Sequence, residues 1–311
     1  MLKAKQRGGR GFAVSLAIMV ENQGDRNSQP AACPLCGLPR AHRIFTRTAY
    51  GHVWHLARCS SCGLHFTDPV PTEAEVRSFY QGDYHSELQN PAFMDQAFAP
   101  KYRRYLSIVR PHLKPNAATL DVGCATGLFP KMLKNAGYRA EGIELNSSSA
   151  AWGRENYRVP IHQGTLDDLL LSSRKFDLIS MTDVLEHTLS PPAEVRKVHG
   201  LLSERGLFLV TFPDILSPSS RYLRVLSRAI GREWAWTTCH IPQHTWEFSY
   251  RTALRLFTQG GFELVAFRRS QAFSFEPSKV GILSLPANLP ALPGVNRYVG
   301  NQMEFLLRQV V

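Results

Sequence analysis

Residues 119–129 read TLDVGCATGLF. An apolar run enters this stretch and a helical pattern leaves it, so Gly123 to Gly127 form a loop between a strand and a helix. Such a loop cradles a nucleotide, and three occupants compete: a phosphate, a dinucleotide, or a nucleoside without phosphate. A phosphate loop needs G-x-x-x-x-G-K-[ST], but Leu128 and Phe129 follow Gly127. The dinucleotide pattern G-x-G-x-x-G is also missing, because Gly123, Ala125 and Gly127 give G-x-A-x-G. A zwitterionic nucleoside fits better. Backbone N–H groups at a helix start meet a carboxylate, and an acid such as Asp121 meets an ammonium. Glu144, in the next strand's EGIELN, offers two acceptor oxygens to a pair of ribose hydroxyls.

The pattern continues on both sides of the loop. Strands are expected at Leu120–Cys124, Ala140–Leu145, Ile161–Leu166 and Phe176–Thr182, then at 207–213, 262–269 and 303–311. Helices are expected at 93–113, 128–135 and 147–156, the last capped by serine, and at 191–206 and 249–261. Alternating strands and helices form a mostly parallel sheet covered on both faces. Four segments follow: a disordered basic extension at 1–28, a cysteine-rich module at 29–70, a helical connector at 71–115, and a main domain at 116–311 with a lid insert at 214–248. The first residues imitate a signal peptide, but no small-x-small cleavage site follows, and Met19 is an alternative start. No apolar run reaches the roughly 20 residues that cross a bilayer.

Cys33-x-x-Cys36 and Cys59-x-x-Cys62 are two pairs, each followed by glycine. That is the spacing of a structural, four-thiolate zinc ribbon, which carries no catalysis and belongs in a reducing compartment such as the cytoplasm. His42, His52, His55 and His65 then read as surface residues, and Cys124 and Cys239 as packing residues. The net charge of +11 points to an anionic partner or to scattered surface arginines.

Together, LDVGCATG, GIELN, FDLISMTDVLEH with SPPAEV, and GGFELV resemble the class I S-adenosylmethionine-dependent methyltransferases, in order and spacing, over about residues 116–270. The segment CSSCGLHFTDPVPTEAEVRSFYQGDYH resembles the zinc-ribbon leader of bacterial members, many of which are linked to cell-surface sugar modification. The resemblance implies a Rossmann-like seven-stranded α/β sheet and S-adenosyl-L-methionine as cofactor. It places Asp121, Gly123, Cys124, Ala125 and Gly127 around the methionine part, and Glu144 and Leu145 at the ribose. Gly164, Thr165 and Leu166 would flank the adenine, and Thr182, Asp183 and Val184 would line the floor. Ala125 departs from the family, which carries glycine there.

Candidate bases sit where strands end: His187 in DVLEH, and His240 and His244 in CHIPQHTWEFS. The bland alternative makes these histidines loop fasteners. D-x-x-E-H also resembles a motif of quinone-type O-methyltransferases, which would place magnesium on Asp183, Glu186 and His187. In the insert, Arg221, Arg224, Arg228 and Arg232 share a helical face beside Tyr222, Val225, Leu226, Ala229 and Ile230, with Trp234 and Trp236 following. This segment reads as a lid over an anionic acceptor, with peripheral contact to an anionic inner membrane face as the alternative. The leading expectation is methyl transfer to a small-molecule, sugar or glycan acceptor. An RNA methyltransferase using the ribbon, a quinone or lipid O-methyltransferase, and a non-catalytic cofactor-binding module compete with it. Nucleic acid is disfavoured by the ribbon's lack of a dense lysine-arginine run.

Overall fold

The structure is a computed structural model that describes residues 32–79, 90, 93–94, 97–170, 174–229, 241–271 and 300–310. The extension at 1–28, Ile230, Arg232, Trp234, Trp236, Cys239 and His240 lie outside the described residues.

Two sheets organise the described chain. The first contains β1 (Ala41–Ala49), β2 (His52–Cys59) and β3 (His65–Asp68), all antiparallel. The second contains β4 (Ala118–Val122), β5 (Arg139–Glu144), β6 (Ile161–Gln163), β7 (Phe176–Thr182) and β8 (Leu202–Pro213). It is completed by β10 (Phe262–Ser270) and β11 (Gln302–Gln309), with β9 (Trp246–Glu247) preceding them in the chain. Its order is β10-β11-β8-β7-β4-β5-β6. Only β11 runs antiparallel to its neighbours, so the seven-stranded, mostly parallel sheet is the one expected. Leu120, Leu178, Ile179, Phe208 and Leu209 are fully buried on its central strands, as helices on both faces require.

Several boundaries differ from the sequence reading. The connector helix is regular over Ala99–Val109 and tightens to a single 3-10 turn at Arg110–His112. Pro111 has no N–H to continue the α pattern. The third parallel strand stops at Gln163, because Thr165 N–H donates to Asp168 Oδ2 at 2.8 Å and opens a helix at Leu166. Asn146, not serine, caps Ser147–Tyr157 by accepting from Ser149 N. The helix Pro191–Leu201 ends earlier than the expected 191–206, and the chain enters β8 at once. Thr72 and Glu75 form a capping box at the start of the helix Glu73–Phe79: Thr72 N–H donates to Glu75 Oε2 at 2.7 Å.

The main departure is in the insert at 214–248. It holds the helix Pro218–Ala229, and its far end is not a free lid. Residues Trp246–Glu247 are β9, paired antiparallel with β3, so the cysteine-rich sheet has order β1-β2-β3-β9. Thr67 N–H donates to Thr245 O at 2.9 Å, and Thr67 Oγ1 donates to His244 O at 2.6 Å. Cys33, Cys59, Leu64 and Phe66 pack in one core with Trp246, Phe248, Phe212 and Phe305. His65, expected at the surface, is buried in β3. Burial, with Arg58 and Arg224 nearby, pushes its pKa down to about 3.

Candidate functional site

The glycine loop runs from the end of β4 to the helix Leu128–Asn135, whose N-terminal cap is Gly127. Gly123 has φ +67°, and a Cβ there would lie 2.5 Å from Val184 Cγ2. Only glycine combines that left-handed backbone with so close a neighbour. Gly123 N–H and Cys124 N–H both donate to Ile143 O, at 2.8 and 3.1 Å, which ties the loop to β5. Cys124 is buried, as expected of a packing residue. Ala125 has φ +49°, so an L-residue holds the conformation for which the resemblance called for glycine.

Glu144 offsets that strain. Its Oε2 accepts from Ala125 N–H and its Oε1 from Asn146 N–H, both at 2.8 Å. Each oxygen retains a lone pair, so the carboxylate can brace the loop and still meet two ribose hydroxyls. Asp121 lies beneath, with Oδ1 accepting from Ser180 Oγ at 2.6 Å. Burial raises its carboxyl to about 7, against the Ser180 hydrogen bond and with help from the Glu144 charge. Leu145 is exposed, and Gly164 N–H donates to Glu144 O at 3.1 Å. Leu166 is buried in the main core, which leaves Gly164 and Thr165 as the part of that trio near the surface. The positive φ values, the braced loop and the buried acid fit a bound nucleoside with an amino-acid tail.

The floor is the turn after β7. Val184 touches the loop at Gly123, and Asp183 adopts φ +58°. Asp183 pairs with Lys101 from the connector helix and accepts from Gln302 Nε2 and, at 3.1 Å, from Thr211 Oγ1. Burial would raise its pKa, but the Lys101 ammonium and these donors hold it below the usual carboxylate range. The connector helix is itself fastened by Tyr102 stacked on Phe129, with ring centroids 5.2 Å apart.

Past Asp183, Glu186 and His187 lie in the 3-10 turn Leu185–His187. His244 meets them: the two imidazoles stand edge to face with centroids 4.6 Å apart. Gln243 O is 3.1 Å from His187 Nδ1, and Glu247 Oε1 is 3.0 Å from His244 Nδ1. Thr245 N–H donates to Glu186 O at 2.8 Å, which locks the turn against the strand bound to the ribbon. Burial, then the neighbouring His244, lowers His187 to about 3; burial lowers His244 to about 4. Both rings are therefore neutral near pH 7. Burial also pushes Glu186 well above its ordinary range, with Asp183 adding repulsion.

The magnesium set expected from D-x-x-E-H is not what the structure assembles. Asp183 is committed to Lys101, Gln302 and Thr211, and His244 stands with Glu186 and His187 instead. Two imidazoles and one carboxylate do not suit magnesium, which takes oxygen ligands. The arginine helix also departs from expectation: Val225 is 68% exposed, so the apolar face is not covered there. Arg224 donates to Ile215 O at 2.5 Å, while the Arg228 and Leu226 side chains lie outside the description.

The four cysteines form a compact cluster. Sγ atoms of Cys33 and Cys62 are 3.5 Å apart, and those of Cys36 and Cys59 are 3.7 Å apart. Tetrahedral zinc with Zn–S near 2.3 Å requires an edge of about 3.8 Å, so the cluster fits one ion. Burial opposes ionisation of Cys59, but N–H groups of Cys62 and Ser61 bring its thiol down to about 7. Lys101, Glu247 and Gln302 were not singled out from the sequence. The spacing His244-x-x-Glu247 was visible, but Lys101 and Gln302 reach Asp183 only through tertiary packing.

A braced glycine loop, an acid at the end of the second parallel strand and this sheet order define a class I methyltransferase fold. The family profile described as "Methyltransferase domain" matches residues 92–266, more than half of the chain, and the chain belongs to that family. Among curated relatives, it is 25% identical over 156 residues to a ubiquinone biosynthesis O-methyltransferase of Glaesserella parasuis. That match spans 46% of this chain and 64% of the relative. Two solved structures share the fold. Magnesium protoporphyrin IX methyltransferase from Synechocystis PCC 6803 has TM-score 0.53 at 12% identity, covering 76% of this chain and 100% of that one. A Haloferax volcanii methyltransferase complex with the activator Trm112 has TM-score 0.54 at 11% identity, covering 74% of this chain and 97% of that one.

Proposed function

We propose that this chain transfers a methyl group from S-adenosylmethionine to a small-molecule, sugar or glycan acceptor, on oxygen or carbon. The observation that carries the reading is the contact of two halves at one end of the sheet. The Glu144-braced loop meets Val184 at Gly123, and Glu186 and His187 follow Val184 in the same turn. When bound, the cofactor supplies an activated methyl on a sulfonium. The protein's share is to align the acceptor and remove its proton. Glu144 would hold the ribose, and the backbone from Gly123 to Gly127 would hold the methionine tail. His244, oriented by Glu247 and neutral near pH 7, would face the acceptor with His187.

The relative from Glaesserella parasuis favours a second acceptor class, a hydroxyl on a lipid-soluble ring. The exposed Val225 on the basic helix supports membrane contact in that case. Among the described residues, no helix is long and apolar enough to cross a membrane. We also infer one zinc ion on Cys33, Cys36, Cys59 and Cys62, supported by the sulfur spacing.

Incubation of the purified chain with methyl-labelled S-adenosylmethionine and panels of sugar-nucleotide, glycan, phenolic and RNA acceptors tests the reading. Label transfer to a small acceptor is the expected result, and transfer to RNA alone would overturn it. Failure to bind S-adenosylhomocysteine by calorimetry would overturn the cofactor assignment itself.

A further inference from the structure

A polar stripe crosses the carboxyl end of the sheet beside the candidate site. On β11, Gln302 and Glu304 are two residues apart and share a face. On the connector helix that meets them, Lys101 and Arg104 are three apart and share a side. Asp183 joins the two rows, because it pairs with Lys101 and accepts from Gln302 Nε2. Arg104 Nε and Ser270 Oγ both donate to Glu304 Oε1, at 2.8 and 2.6 Å. One oxygen of each strand residue is left over. Gln302 Oε1 and Glu304 Oε2 are buried without a hydrogen-bond partner, and both residues are only 1% exposed. A buried acceptor without a donor is costly, so fastening the connector helix does not account for either atom. The stripe can nevertheless be reached, since the side chains of Asp183 and Arg104 keep 36% and 33% exposure. It also adjoins the cofactor half: Asp183 immediately precedes Val184, which touches the glycine loop at Gly123.

The geometry points to an acceptor subsite on Lys101, Asp183, Gln302 and Glu304 that takes a neutral polyhydroxylated ring, a sugar or glycan unit with no charged substituent at this point. The inference rests on the methyl-transfer reading and chooses among its acceptor classes. A hydroxyl both donates and accepts. Its donor side would meet Gln302 Oε1 or Glu304 Oε2, and its acceptor side the Lys101 ammonium. An ionised carboxylate only accepts, so it would leave both oxygens unmet and would face Asp183 and Glu304. An ammonium donates, but it would stand beside Lys101 and Arg104. A lipid-soluble ring would set its apolar edge against four polar side chains. The result departs from the anionic acceptor expected from the net charge. A site built to hydrogen-bond a substrate hydroxyl rejects analogues that lack it far more strongly than an apolar pocket rejects a missing methylene.

The test reads binding apart from turnover. The full chain, with and without S-adenosylhomocysteine, is screened by saturation-transfer nuclear magnetic resonance against neutral methyl glycosides, uronic acids, amino sugars and catechols. Neutral glycosides are expected to bind. Binding confined to the other three sets, or by none of the four, would overturn the proposal. For the glycoside that binds best, Gln302→Leu and Glu304→Gln should each weaken affinity at least about tenfold, the worth of one hydrogen bond to a buried group. Affinity for S-adenosylhomocysteine, read by calorimetry, should hold in both variants. Unchanged glycoside affinity in either variant would overturn the subsite. If the variants fail to fold, hydrogen exchange of the unmodified chain decides: glycoside-dependent protection of 99–105 and 302–306 supports the subsite, and unchanged exchange there overturns it. Failure of the methyl-transfer reading shows separately, as absence of S-adenosylhomocysteine binding.

Discussion

The two halves of the candidate site end the same sheet but are built differently. The cofactor half is local. Gly123, Ala125, Glu144 and Gly164 sit on consecutive β-α-β turns: Gly123 and Gly164 donate to carbonyls of β5, and the Glu144 carboxylate accepts from Ala125 N–H and Asn146 N–H. The acceptor half is assembled from distant pieces. Asp183 is held by Lys101 from the connector and Gln302 from β11, while His187 and Glu186 are met by a segment that β3 of the ribbon pins in place. A parallel sheet supplies the first half wherever its strands end in the right order. The second half exists only because an antiparallel ribbon shares a core with that sheet. The halves should therefore respond to different perturbations.

The largest effect should come from the acceptor half. His244→Gln is expected to lower the methyl-transfer rate constant by about 10²–10⁴, the usual worth of a positioned acid or base. Affinity for S-adenosylhomocysteine, read by calorimetry, should stay the same; a parallel loss of both would merge the two halves into one unit. Next comes Glu144→Ala, which removes the brace on Ala125 and Asn146 together with the ribose acceptor. It should cost about 2–4 kcal/mol of cofactor affinity. Unchanged calorimetric affinity would sink the ribose assignment.

A third test perturbs the ribbon from a distance. Cys59→Ser, or stripping metal with a chelator, should slow turnover about tenfold through the β3–β9 clamp on His244. Cofactor affinity should change far less. Metal analysis of the untreated, reduced protein should first find zinc, and its absence would remove the premise. Turnover that survives chelation with zinc demonstrably lost would show that the ribbon does not position His244.

The smallest effect concerns the link between connector and floor. Lys101→Met removes a partly exposed ion pair and should cost about 1 kcal/mol in a denaturant melt near neutral pH. The sign of its pH dependence follows from Asp183, whose folded carboxyl is held below its ordinary range. That contribution is present above the unfolded carboxylate value, about 3.9, and fades as pH falls through the lower folded value. Lys101→Met should therefore flatten the acid limb of the stability profile. An unchanged limb would show that Lys101 does not set the Asp183 charge.

The sequence by itself determined the seven-stranded sheet, the glycine loop, Glu144 and the cysteine pairs. Each is written in contiguous or regularly spaced residues, because strand and helix periodicities and C-x-x-C turns are local constraints. It also named His187 and His244, but without showing that they touch. Burial of His65, commitment of Asp183 to Lys101 in place of a magnesium set, and exposure of Val225 were decided by tertiary structure. So was the conversion of a supposed lid into a ribbon strand at Trp246–Glu247. The physical reason is the same throughout. Two residues of β9 carry too little pattern to announce a strand, and an edge such as β3 accepts any extended segment that the fold brings to it. Which segment arrives, and therefore which histidine faces Glu186, depends on how the two sheets close over their common core.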